Sequence, residues 1–225
     1  METLVLYHGS PEIVQKPLLE KGKQTNDYGQ GFYCTEHESL ACEWACTAAR
    51  GGYANKYELD ATKLKVLHLD QLQHPTLSWL SLLLQNRIVR LSTPAMKRGK
   101  EWIVAHFPTD ISTFDVVVGY RADDSYFQFA RAFLNNGLTL GQLSLAMRLG
   151  NLGEQYVLKS AKAFKQIQFV EATWAEQTTY YPLREARDKH AVEEFNRLLE
   201  EEDEGGILLR DLVDGKVSLD DERLR

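Results

Sequence analysis

Strand-forming runs stand at both ends of this chain with a helical middle between them, and that order limits the fold more than any other feature. The run at 3–7 is rich in β-formers and stops at His8-Gly9-Ser10-Pro11, a sharp punctuation. A polar, glycine-bearing loop over 21–30 leads into Gly31-Phe32-Tyr33-Cys34-Thr35. Over 36–50, Leu40, Trp44 and Ala48 recur at helical spacing, and Gly51-Gly52 supplies the stop. Strands are predicted at 53–59 and 65–69, the second alternating Val66 and His68 with Leu67 and Leu69. The spacing of Leu77, Leu80, Leu84 and Ile88 predicts an amphipathic helix over 76–91. A buried strand at 114–119 precedes helices at 123–134 and 139–149, joined by the turn Asn135-Asn136-Gly137. Late strands at 155–159 and 166–171 bracket one turn of helix at 161–165. Strands at the ends and helices between them define an α+β protein. Beyond 183 the composition shifts to a charge-rich helix running to 202. Gly205-Gly206, the apolar Ile207-Leu208-Leu209 and an acidic end follow, a tail that packs on the body or on a partner.

The chain's 225 residues suit one domain with an appendage. Its 26 Lys and Arg against 32 Asp and Glu leave a formal charge of −6, so a broad cationic face that clamps a nucleic-acid backbone is excluded as the main activity. The small basic cluster Lys97-Arg98-Gly99-Lys100 reads as a solvated loop. No apolar run is long enough to span a bilayer, and the N-terminal residues lack a basic start, so no membrane partner and a cytoplasmic location are expected. Cys34, Cys42 and Cys46 are odd in number and lie close together, without ligands at zinc-like spacing. Buried reduced thiols, and no metal, are the expectation.

Three segments carry candidate chemistry. His8-Gly9 at a strand end pairs an imidazole with a residue that lets a ligand approach the backbone, or else merely caps the strand. In Asp27-Tyr28-Gly29-Gln30-Gly31-Phe32-Tyr33-Cys34-Thr35, glycines before an aromatic pair offer exposed backbone and a flat stacking face at Tyr33, or else a bulge before core aromatics. In Gly153-Glu154-Gln155-Tyr156-Val157, neighbouring strand positions face opposite ways, so only one of Glu154 and Gln155 points into a given cleft.

Taken in order, LYHGS, GQGFYCT and EQYV resemble the ADP-ribosyltransferase superfamily, in its His–Tyr–Glu branch, over about residues 4–170. The closest likeness is to an uncharacterised bacterial family of that superfamily in which Gln is common at the late position. The resemblance implies a split β-sandwich with helical insertions. Residues 1–175 would form the catalytic domain and 176–225 a helical, acidic tail. It implies that His8 binds the adenosine-side ribose of NAD, that the Gly9 backbone pairs with the nicotinamide amide, and that Tyr33 stacks on the nicotinamide ring. Gly31 belongs to the same NAD-binding stretch. Trp44 matches a second stacking aromatic, or is the buried anchor of its helix. Arg121 either contacts the pyrophosphate or pairs with a surface acid, while Asp123 and Asp124 cap the following helix.

Gln155 aligns with the family's catalytic Glu, and Glu154 precedes it. An uncharged Gln can hydrogen-bond a ribose but cannot offset developing positive charge. It therefore fits a mono-transferring enzyme, or a domain that binds NAD without chemistry. The implied activity is cleavage of NAD with transfer of ADP-ribose to a macromolecular acceptor, protein or nucleic acid. By analogy this is the work of a bacterial toxin of a toxin–antitoxin or anti-phage system, with an antitoxin protein as a further partner. An NAD glycohydrolase that uses water as acceptor is the remaining alternative. The segment between Leu91 and Phe114 is the expected acceptor-choosing loop.

Overall fold

Alternating burial along the strands builds two sheets that share one core. A computed structural model describes residues 3–121, 126–149 and 152–225. The first sheet is antiparallel, ordered β1-β3-β7, from Thr3–Ser10, Gly52–Asp60 and Ile167–Ala175. The second is ordered β2-β6-β5-β4, from Phe32–Cys34, Glu154–Leu158, Val116–Tyr120 and Val66–His68, with only β4–β5 parallel. Leu6, Tyr57, Leu59 and Ile167 of the first sheet meet Phe32, Val116, Val118, Tyr156 and Leu158 of the second in a single apolar layer. Period-two alternation then sends Val117 and Val157 to the opposite face of the second sheet, where the helices cover them. The chain is therefore α+β.

Those covering helices are α2 (Pro75–Asn86), α3 (Pro94–His106), α4 (Tyr126–Leu134) and α5 (Leu140–Ala146). Their ends are defined by local chemistry. Thr93 caps α3 ahead of Pro94, and Thr139 with Gln142 forms a reciprocal capping box on α5. A single turn, α6 (Ala161–Gln166), is capped by Ser160 and joins β6 to β7. On the outer face of the first sheet lies α1 (Glu38–Ala45), packed through Ala41, Cys42, Ala45 and Cys46 against Ala54 and Ala175. All three cysteines are buried and unpaired, and burial pushes their thiol pKa values up.

The tail folds back on the body. The helix α7 (Gln177–Glu200) carries Phe195 against Phe129 with ring centroids 4.1 Å apart, and its Arg187 grips the buried Glu43 of α1 through two bonds of 2.9 and 2.8 Å. Beyond it, α8 (Leu209–Val213) seats Leu209 on Gly99 of α3, and Leu224 reaches the main core. No helix among the described residues is long and apolar enough to cross a membrane.

Several expectations need correction. Lys97, Arg98, Gly99 and Lys100 are not a loop but part of α3. Gly99 interrupts its apolar stripe because a Cβ there would stand 2.5 Å from Leu209. The 91–114 segment is thus largely helical. The helix expected over 76–91 ends at Asn86, leaving Ile88 89% exposed. The tail helix starts at Gln177, six residues before its expected start, and runs through Pro182. Asp123 and Asp124 lie outside the described residues.

Candidate functional site

Beside the junction of the two sheets lies an opening whose residues come from six separate segments. Tyr7 of β1 exchanges both backbone bonds with Thr35 (2.7 and 2.9 Å), the bridge that joins the sheets. Because antiparallel backbone groups alternate in direction, the N–H and C=O of Gly9 face the same way as those of Tyr7, away from β3 and toward the opening. A cleft of about 230 Å³ lies there, and His8, Gly9, Tyr33, Trp44, Arg121 and Gln155 all line it. Asn26, Asp27 and Arg87 complete its walls.

His8 is oriented by a 2.7 Å bond between Nδ1 and the Tyr33 carbonyl. A carbonyl only accepts, so Nδ1 carries the proton and Nε2 of the neutral ring is an acceptor. Burial holds the His8 pKa below its ordinary value, with the Tyr33 carbonyl opposing, so the ring is neutral at pH 7. The Tyr33 hydroxyl is tied to the preceding loop: it donates to the Gly29 carbonyl at 2.6 Å and accepts from the Tyr28 amide at 3.0 Å. With its hydroxyl committed and its pKa raised by burial, Tyr33 offers the cleft a ring face and not an acid or base. Lys159 braces the same loop through the carbonyls of Tyr28 and Gln30.

Trp44 projects from α1 into the opening, and the Arg121 guanidinium lies 3.3 Å from its ring centroid. The aromatic is thus a wall of the cleft and the platform for a cation. Arg121 follows Tyr120, whose carbonyl accepts from Tyr28 Oη at 2.6 Å and from Trp79 Nε1 and Gln155 Nε2 at 3.1 Å each.

Gln155 is 4% exposed, and its Nε2 also donates to Asp27 Oδ2 at 3.1 Å. Asp27 in turn stands 3.6 Å from Arg87 Nε, and its carbonyl accepts from Asn86 at 3.2 Å. Sequence reasoning missed Asp27 and Arg87 as site residues. The one local signal for Asp27 was its place at the head of the Tyr28-Gly29-Gln30-Gly31 loop.

Glu154 and Gly31 do not reach the cleft. Strand alternation turns Glu154 to the other face of β6, toward Asp70, His68 and Glu36, where burial and the nearby Asp70 raise its pKa. Gly31 is needed for packing: a Cβ there would lie 2.6 Å from Val157 and 2.9 Å from the Leu158 carbonyl. Gly9 is likewise small for the sake of a helix, since a Cβ would meet the Ala41 carbonyl at 2.1 Å. Its in-plane backbone groups remain on the cleft side.

Among the described residues no three His, Cys, Asp or Glu side chains cluster as metal ligands would. A family model described as "Protein of unknown function (DUF3990)" matches residues 4–169, a span that holds every residue lining the cleft and stops within β7, short of the tail. No curated protein and no solved structure matches the chain. This chain belongs to the DUF3990 family.

Proposed function

We propose that this protein is a mono-ADP-ribosyltransferase that cleaves NAD and transfers ADP-ribose to a macromolecular acceptor. The observation that carries the reading is the convergence of His8, Gly9, Tyr33, Trp44 and Gln155, separated by up to 147 positions, on one cleft. The chemistry of that opening suits the dinucleotide. The Gly9 N–H and C=O match the donor–acceptor pair of a carboxamide, Tyr33 offers a stacking face, and neutral His8 presents Nε2 to a ribose hydroxyl. Arg87 and Arg121 supply positive charge for a pyrophosphate. The cleft of about 230 Å³ is small beside typical ligand sites, which suits enclosure of the nicotinamide half with the adenylate lying at the open side.

A second reading, in which NAD is held uncleaved, draws on Gln155, which cannot carry the charge expected of the third position. One experiment separates the two. NAD labelled on the adenylate is incubated with the protein and a cell lysate, and both free nicotinamide and labelled macromolecules are measured. Transfer predicts both products, and predicts their loss in His8→Ala and Tyr33→Ala. Nicotinamide without labelled acceptor indicates hydrolysis by water. Neither product, in protein that binds NAD, indicates a binding module. As the toxin reading would have it, expression of the wild type arrests bacterial growth and expression of either variant does not.

A further inference from the structure

Gln155 is held between two groups that can only accept, the Asp27 carboxylate and the Tyr120 carbonyl, each 3.1 Å from Nε2. That arrangement accounts for an amide at this position. A glutamate here would set a second carboxylate about 3 Å from the first, which disfavours ionisation of both. Asp27 is also the only acid among the described residues lining the cleft; its side chain is 8% exposed and meets Arg87 at 3.6 Å. It enters from the loop before β2, not from the late strand.

We propose that Asp27 is the catalytic carboxylate of this site, with Gln155 as the residue that positions it; the assignment rests on the ADP-ribosyltransferase reading. In the step, the bond between C1′ of the ribose and the nicotinamide nitrogen breaks, and its electron pair leaves with nicotinamide, which becomes neutral. The positive charge passes from the pyridinium ring to C1′ and the ring oxygen. The Asp27 carboxylate, unprotonated throughout, faces that charge. The acceptor nucleophile gives an electron pair to C1′ and releases its proton to water. NAD and the acceptor thus become ADP-ribosyl acceptor, nicotinamide and one proton.

A charge swap tests the assignment. Nicotinamide release, NAD affinity by calorimetry and melting temperature are measured for the wild type, D27N, Q155E, the double variant D27N/Q155E, and Asp27→Glu. The proposal expects D27N to lose on the order of 100-fold in release, with NAD affinity changed by no more than a few-fold. Q155E also falls, because it opposes a carboxylate already present. The double variant exceeds either single, since one charge and one amide again face each other, and Asp27→Glu retains more than D27N. Release by D27N near that of the wild type, or a rise in Q155E, would overturn the assignment. Equal losses in D27N and Asp27→Glu would also overturn it, and would assign Asp27 to packing. A wild type that frees nicotinamide from NAD in the presence of lysate, with D27N doing so equally well, defeats the assignment to Asp27 alone; a wild type that frees none, whether or not it binds NAD, defeats the underlying transferase reading too.

Discussion

Replacing Gly9 by alanine tests why the two sheets and α1 meet where they do. The added Cβ would stand 2.1 Å from the Ala41 carbonyl, 2.9 Å from the Ala45 nitrogen and 3.0 Å from the Trp44 Cβ. Ordinary contact begins at 3.4 Å, so the Ala41 carbonyl must retreat by about 1.3 Å. The first two are backbone atoms and the third is a Cβ that no rotamer moves, all on a short helix pinned by Cys42 and Cys46 on one side and by the Arg187–Glu43 pair on the other. No side-chain rotation relieves the clash. Overpacking of this kind costs about 1–3 kcal/mol, and for a chain of this length each kcal/mol lowers the melting temperature by about 2–4 °C. The Gly9→Ala variant should therefore melt about 2–12 °C lower. It should also bind NAD more weakly than Leu224→Ala, which perturbs a core residue outside the cleft lining, because α1 carries Trp44 with it. Scanning calorimetry and NAD titration of both variants give the answer. A Gly9→Ala protein with unchanged melting temperature would refute the packing argument. One that is destabilised but binds NAD as well as Leu224→Ala would refute the link between α1 and the cleft.

Two further outcomes follow from the same contacts. Burial lowers the His8 pKa below 6.5, so between that lowered value and about 6.5 the unfolded chain binds more protons than the folded one, and stability falls as pH drops through this window. Urea midpoints at several values between pH 7.5 and 5.5 should decline less steeply in His8→Gln than in the wild type; an identical slope would show that His8 does not contribute. The Glu43 side chain is 3% exposed and meets Arg187 Nη2 at 2.8 Å. Arg187→Ala should thus cost about 3–5 kcal/mol by stranding a buried charge, and Glu43→Gln in the same background should recover part of it. A loss below about 1 kcal/mol would place the pair among solvent-screened ones.

Much of this architecture can be read from one-dimensional pattern, and the failures have physical causes. Strand runs such as 3–7 and 114–119 declare themselves because β-formers end at Gly, Pro or Ser, and the pleat then dictates that Gln155, not Glu154, shares the face of Val157. The helix α3 escaped because its buried stripe of Met96, Gly99 and Ile103 has a glycine where a large apolar residue was expected. That glycine makes sense only beside Leu209, 110 positions away. Ile88 looked like the next member of an apolar row, but α2 stops at Asn86, whose side chain instead supports Asp27. The cleft shows the same division. Of the residues given a role inside short motifs, His8, Gly9, Tyr33 and Gln155 line the cleft and Gly31 and Glu154 do not. Asp27, which heads a motif but was given no role there, and Arg87 are brought together across 60 positions from a loop and a helix end and carry no periodic signal. Gly9 and Gly31 were recognised as places of close approach, but what approaches them is a helix and a neighbouring strand.

The most direct trial of the proposal that this cleft takes NAD is a crystal structure with a non-hydrolysable NAD analogue. The nicotinamide ring should lie against Tyr33, with its carboxamide bonded to the Gly9 backbone, the adenosine ribose at His8 Nε2, and the ribose C1′ beside the Asp27–Gln155 pair. An analogue bound elsewhere, or none bound at saturating concentration, would contradict the account.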